Sequence, residues 1–322
     1  MVGLRAALFL RRCGVAFQVC SCYFDKFNFQ RLTHSSAYLS RVPDRDCEQL
    51  LQNALVDVRS LVSEIRSSLC PIFPKFRDLL HYQFDSQGKL VRPLLVTLVA
   101  ACATAHTDDS SKSSETKSGR NLFGLVSPSQ HEIAKIAEMI HTASLIHDDL
   151  IDSASLRRGK TSAYRAFGHR EAILGGDFIL THSSRLLAQI GDTRVIAVLS
   201  QVIEDLIHGE MMQLTANSDD DDKRFQAYLT KTYRKTASLI ANSCKAVAML
   251  TVPALSPQHI DDMYEFGRHL GMAFQLIDDV LDFVTDENNL GKPSGADLQW
   301  VSQPAPCYLL LRDRMELVKL EC

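Results

Sequence analysis

Leu145-Ile-His-Asp-Asp-Leu-Ile-Asp152 sets three carboxylates in an apolar, helix-forming context. Side chains four apart on a helix share a face. Asp148 and Asp152 therefore point the same way, with Asp149 about 100° around the axis. The pattern returns far downstream in Leu276-Ile-Asp-Asp-Val-Leu-Asp-Phe283, which carries Asp278, Asp279 and Asp282. One D-D-x-x-D on a helix is ordinarily a solvated face. Two of them, each flanked by Ile, Leu, Val or Phe, are hard to explain that way, because several like charges in apolar surroundings need a compensating cation. Hard oxygen ligands at this density suit Mg²⁺, which keeps waters and takes one or two carboxylates together with phosphate oxygens.

Basic residues stand where an anion would need them. Gly88-Lys-Leu-Val-Arg-Pro93 leads into a helix rich in Leu and Val that the pattern carries to Ala105. Pro93 suits a first helical turn, so Lys89 and Arg92 lie near a helix N-terminus, where backbone N–H groups already favour an anion. Ser127-Pro128 reads as an N-cap followed by Pro at the first helical position. That helix should run to about Asp152 with Ile133, Ile136, Ile140, Ala143 and Ile146 inward. His141 sits two turns before Asp148 on nearly the same face, a position that by itself reads as a satisfied core histidine. Arg157-Arg158-Gly159-Lys160 comes next, and a basic pair beside an acidic cluster reads equally well as charge balance.

The remaining periodicity predicts helices over 44–69, 175–190, 195–214 and 225–250, the last carrying Lys235-Thr236. Ser256-Pro257 is a second capped start, opening a long helix that carries Gln275 and the second acidic cluster. Long apolar helices in succession, without strand-like segments, argue for an all-α bundle.

These motifs, in this order, resemble the trans-isoprenyl diphosphate synthase family, and within it the long-chain polyprenyl branch that supplies the ubiquinone side chain. The resemblance runs from roughly Lys75 to Leu298. It implies an isoprenoid-synthase-type helical bundle in which the two acidic clusters face each other across a deep central cavity. It implies a prenyltransferase that adds isopentenyl diphosphate to an allylic diphosphate with Mg²⁺, about three ions per site. Of the carboxylates, Asp148, Asp152 and Asp278 match metal ligands, with Asp149 and Asp279 beside them as catalytic residues. Gly88, Lys89, Arg92, His141 and Arg158 match residues on isopentenyl diphosphate. Arg157, Lys235 and Lys292 match residues on the allylic diphosphate, and Thr236 and Gln275 accompany them. Ser153 stands where many relatives carry a further Asp. No protein nucleophile is required by such chemistry. Ala143 and Ser144, five and four residues before Asp148, occupy places that short-chain relatives often fill with aromatics. Two small residues there imply a long product.

The chain's 322 residues are 46% hydrophobic and 23% charged, ordinary for a globular protein. A net charge of −3 argues against a nucleic-acid partner. No apolar run reaches the roughly 18 residues of a membrane span. Nine cysteines without a C-x-x-C read as free thiols in a reducing compartment. Residues 1–40 read as a mitochondrial presequence, with Arg5, Arg11 and Arg12 and no acid before Asp25. A secretory signal is the competing reading of that segment.

Residues 41–298 read as the synthase domain. Within it, 107–129 is a polar insertion loop. The segment 299–322 reads as a divergent tail, as of a truncated or alternative terminus. The resemblance further implies a homodimer, or a heteromer with a second synthase subunit, and peripheral membrane association for release of an apolar product. Two other functions compete. A terpene cyclase would need neither G-K-x-x-R-P nor a second acidic cluster. A non-catalytic subunit of a heteromeric synthase would keep the helices and lose turnover.

Overall fold

The computed structural model describes residues 44–69, 74–84, 88, 90–109, 122–157, 159–215 and 221–284. Their regular elements are helices apart from one short hairpin. They belong to two compact units. One comprises residues up to Ser200 together with Ile240–Gly267, and the other Gln201–Leu239 together with residues from Arg268 onward. The presequence, the tail, Lys89, Arg158 and Lys292 lie outside the described residues, as does most of the polar insertion.

In the first unit, α1 (Asp44–Ser68), α2 (Pro74–Phe84) and α3 (Val91–Asp109) lead through a 3₁₀ turn (Leu122–Leu125) into α4 (Pro128–Ile151). The apolar stripe of α1 turns Val58, Leu61 and Ile65 fully into the core. The cap of α4 forms as its sequence predicts. The Ser127 hydroxyl accepts from the Gln130 N–H, and the Gln130 side chain accepts from the Ser127 N–H, a reciprocal capping box. The Gln130 amide also donates to the Val247 carbonyl at 2.9 Å and to the Thr251 hydroxyl at 3.1 Å, which seats the helix start. Ile133, Ile136, Ile140, Ala143 and Ile146 are all buried. Each buried Ile contributes roughly 2 kcal/mol through water exclusion. Cys102 and Cys244 are buried and form no disulfide.

After α4, Ser153 takes a left-handed backbone (φ 54°) and turns the chain into β1 (Leu156–Arg157), antiparallel to β2 (Lys160–Thr161). Gly159, at φ 74°, closes that turn. This hairpin corrects the strand-free expectation; two residues per strand leave no alternating pattern to read. Then come α5 (Ala163–Phe167) and α6 (His169–Ile190). The expected start of α6 at Gly175 is six residues late. Its glycines serve close packing instead. A Cβ on Gly175 would stand 2.7 Å from Leu79 Cδ2, and one on Gly176 would stand 2.3 Å from His147 Nε2. α4 packs chiefly on α6 and α3. Helix α3 also outruns its expected end at Ala105, continuing to Asp109.

α7 spans Thr193–Thr215, and its residues from Gln201 onward belong to the second unit. α8 (Asp221–Thr232) passes into a π-helical segment, Tyr233–Ala237, before α9 (Ser238–Met249). The single helix expected over 225–250 is thus interrupted at its Lys-Thr pair. A π-helical turn holds an extra residue, and such turns gather at functional sites. α10 (Pro257–Val284) starts where Ser256 accepts from the His259 N–H. Among the described residues no helix is long and apolar enough to cross a membrane.

Candidate active site

Within the first unit, a cavity of about 610 Å³ gathers several of the residues singled out by motif. Gly88, His141, Asp149 and Arg157 line it, with Leu90, Glu138, Arg59, Tyr82 and Lys160. Leu90 holds a left-handed backbone (φ 50°), an uncommon state for a non-glycine residue, in the segment that brings Gly88 to the cavity wall. Arg92, on the first turn of α3, meets His141 of α4 at 2.9 Å between Nη1 and Nε2. A guanidinium is a donor only, so His141 accepts at Nε2 and is a neutral imidazole with its proton on Nδ1. His141 is satisfied by Arg92, as a core histidine would be, but it is half-buried and lines the cavity.

The three aspartates of the first cluster are placed differently. Asp149 is 4% exposed. Its Oδ1 accepts from Arg157 Nε at 2.7 Å and from Arg157 Nη2 at 2.5 Å. Arg157 reaches it from the hairpin, so the short strand pair brings that guanidinium back over the end of α4. Asp148 and Asp152 are half-buried, four residues apart, and Asp152 caps α4. Ala143 is fully buried in the unit's core, and Ser144 bonds the His141 carbonyl at 2.9 Å; neither lines this cavity.

The second unit holds its own polar chain. Thr236 Oγ1 donates to Gln275 Oε1 at 2.8 Å, and Gln275 Nε2 donates to Asp279 Oδ1 at 2.8 Å. The Tyr228 hydroxyl donates to the other oxygen of Asp279. Asp278, next to it, is exposed. The side chain of Asp282 is outside the described residues. Lys235 is gripped by both oxygens of Glu210, at 2.6 and 2.7 Å, and by Gln213 Oε1 at 3.1 Å.

Motif reading does not single out Glu210, Gln213 or Tyr228. Glu210 and Gln213 sit three apart beside a helical glycine in Gly209-Glu-Met-Met-Gln213, which is a signal for one polar face at a close helix contact. Tyr228 carries no local signal at all.

Among the described residues no three His, Cys, Asp or Glu side chains come together as a metal cage. The donor set nevertheless fits Mg²⁺. Asp148 and Asp152 in the first unit, and Asp278 in the second, each offer hard carboxylate oxygens. An ion that binds through one or two carboxylates and completes its shell with water and phosphate needs no preformed cage.

The polyprenyl synthetase family model matches residues 73–317, a span that runs past Leu298, where the readable motifs end. The all trans-polyprenyl-diphosphate synthase PDSS1 of Homo sapiens is 46% identical over 76% of this chain and 55% of its own length. The chain thus spans about half the length of that relative. The probable mitochondrial hexaprenyl pyrophosphate synthase of Neurospora crassa is 37% identical, covering 81% of this chain and 65% of its own. Among solved structures, a polyprenyl synthase from Caulobacter crescentus CB15, in complex with calcium and isoprenyl diphosphate, is similar at a TM-score of 0.64 and 27% identity. That likeness covers 79% of this chain and 70% of the other.

Proposed function

This chain belongs to the polyprenyl synthetase family, and we propose that it is a long-chain trans-prenyltransferase. It joins isopentenyl diphosphate units to an allylic diphosphate such as farnesyl or geranylgeranyl diphosphate, for the ubiquinone side chain. The observation that carries this reading is one cavity lined by Gly88, His141 and Arg157, with Arg92 bonded to His141. The pocket is roomy enough for a prenyl diphosphate and carries Arg59, Arg157 and Lys160 beside the carboxylates of Glu138 and Asp149.

Arg92, His141 and Gly88, with Lys89 and Arg158, hold isopentenyl diphosphate. Neutral His141 presents its Nδ1–H as a donor to phosphate oxygen while Arg92 supplies charge. Arg157, oriented by Asp149, and Lys235, with Lys292, take the allylic diphosphate and stabilise charge developing on the departing pyrophosphate. Asp148, Asp152 and Asp278 would hold Mg²⁺, about three ions, which would supply Lewis-acid stabilisation of the leaving group. Thr236 and Gln275 fix the carboxylate of Asp279 through their bonded chain. The isopentenyl double bond attacks the ionised allylic carbon. A proton is then lost, with the released pyrophosphate as its acceptor. Ala143 and Ser144 are small, which supports a long product by the resemblance, although neither lines the cavity described above. The mitochondrion is the proposed location, supported by the basic, acid-free start and by the Neurospora crassa relative. A dimer or a heteromer with a second synthase subunit, releasing product at a membrane surface, completes the proposal.

The test is incorporation of radiolabelled isopentenyl diphosphate with farnesyl diphosphate and Mg²⁺, beside an Asp148→Ala control. Incorporation that the control abolishes supports the reading. A folded wild-type chain that incorporates nothing, alone or mixed with a full-length relative, refutes it in favour of a non-catalytic subunit.

A further inference from the structure

Lys235 sits in a seat that the motifs do not explain. It lies in the π-helical segment, and its ammonium meets three acceptors: Glu210 Oε1, Glu210 Oε2 and Gln213 Oε1. An ammonium has three hydrogens and no acceptor capacity, so every donor is committed. Gly209 makes the seat. A Cβ there would stand 2.6 Å from Lys235 Cγ and 3.3 Å from the Lys235 backbone nitrogen, so only glycine lets the lysine stem lie across α7. Glu210 and Gln213 then project along one face of α7 toward the ammonium. The Lys235 and Glu210 side chains are 23% and 20% exposed, close enough to solvent for a ligand to reach them.

An anion that approaches this pair meets no net charge. It can take the ammonium only by replacing Glu210. Resting on the synthase reading above, we propose that Glu210 is a displaceable counter-ion for Lys235. Glu210 holds the ammonium between substrates, yields it to the allylic diphosphate, and reclaims it as pyrophosphate departs. An enzyme that extends one product repeatedly must release pyrophosphate after each addition. A carboxylate fixed beside the gripping lysine speeds that release at the expense of affinity. Gln213, the neutral and most distant acceptor, is the contact that opens first. Glu210 thus acts through Lys235 as a positioning residue.

The test is calorimetric titration of inorganic pyrophosphate, with and without Mg²⁺, into the full chain and its Glu210→Gln and Gln213→Ala variants, with steady-state kinetics alongside. Removing one nearby negative charge should tighten pyrophosphate binding about tenfold. It should also lower kcat without raising the allylic KM. Gln213→Ala should stay within about twofold of wild type on the same reasoning. Equal or weaker pyrophosphate binding by Glu210→Gln overturns the proposal, since a merely structural role predicts loss. A larger effect from Gln213→Ala than from Glu210→Gln overturns it too.

Should Glu210→Gln fail to fold, the pyrophosphate-bound wild-type structure decides. Lys235 Nζ beyond about 4 Å from both Glu210 oxygens supports the exchange, and an intact pair overturns it. Wild-type binding is measured first: a chain that binds no pyrophosphate refutes the synthase reading itself, which is distinct from failure of the Glu210 assignment.

Discussion

Gly271→Ala tests whether helix spacing in the second unit sets the chemistry of the second acidic cluster. A Cβ on Gly271 would stand 2.6 Å from Ala237 Cα and 2.9 Å from Ala237 Cβ. Carbon atoms in ordinary contact lie about 3.5–4.0 Å apart. Both obstructing atoms are main chain or Cβ, so no side chain can swing aside, and α10 must withdraw by about 1 Å. One turn along α10, Gln275 accepts from Thr236 at 2.8 Å. A withdrawal of that size stretches the bond to about 3.8 Å, outside hydrogen-bonding range. Gln275 then loses the partner that fixes the amide it offers to Asp279.

Overpacking costs about 1–3 kcal/mol and the lost bond about 1 kcal/mol. The helix preference of Ala over Gly returns just under about 1 kcal/mol. The expected net loss is about 2 kcal/mol by urea unfolding, with a fall in condensation rate. Thr236→Val is the companion variant. It removes the same bond without the clash, so it should reproduce the rate loss with a smaller stability loss. A Gly271→Ala protein that unfolds within about 0.5 kcal/mol of wild type and keeps full activity would refute the reasoning.

Other expectations rest on single contacts. Asp149→Asn keeps the shape of the buried side chain and removes the charge that Arg157 holds at 2.5 and 2.7 Å. It should cost about 2 kcal/mol and raise the allylic KM while leaving the Mg²⁺ activation curve in place. Asp148→Asn should shift that curve instead, and Mg²⁺ titration of the rates separates the two. His182 is 8% exposed, and burial, reinforced by Arg185, lowers its pKa from the usual 6.5. A lowered histidine pKa means the unfolded chain binds the proton first. Stability from this group is thus full above about 6.5 and lost as pH falls through the lowered value, a slope that His182→Gln should flatten in urea unfolding across that range. Asp192 caps α7, accepting from the Arg194 and Val195 N–H groups, and the Arg194 side chain holds its pKa down at about 2. Its contribution is present above the usual 3.8 and is lost only as pH falls toward about 2. Asp192→Ala should cost about 1 kcal/mol at neutral pH, read by thermal unfolding.

The parts of the fold that are legible in the sequence are those governed by local rules. Ser127-Pro128 and Ser256-Pro257 start helices because a cap hydroxyl and a fixed φ act within one turn. The stripe from Ile133 to Ile146 buries as its period requires. The glycines of α6 mislead because glycine has two uses, punctuation and close approach. Only the neighbouring Leu79 and His147, distant in sequence, show which one applies. The hairpin is hidden by its length. The π-helical turn at Lys235 is hidden because it leaves the apolar period almost intact while rotating the residues after it. In the site, charge motifs point to Asp148, Arg157 and Lys235, but not to their partners. Arg92 finds His141 across 49 positions and Tyr228 finds Asp279 across 51, and nothing in either segment encodes the other.

The two acidic clusters differ in a way that the repeated letters D-D-x-x-D conceal. In each pair the second aspartate is engaged by protein donors, Asp149 by Arg157 and Asp279 by Gln275 and Tyr228. The donors differ in kind. Arg157 brings a full positive charge and cancels that of Asp149. A primary amide and a phenol orient Asp279 without cancelling anything. The charge of Asp149 is therefore met within the fold, whereas the two donors on Asp279 orient its carboxylate without neutralising it and leave that charge for a bound cation to offset. Removing Mg²⁺ should for that reason loosen the end of α10 more than the end of α4. Amide hydrogen exchange across the two helices reads this directly, and equal protection changes at both ends would overturn the distinction.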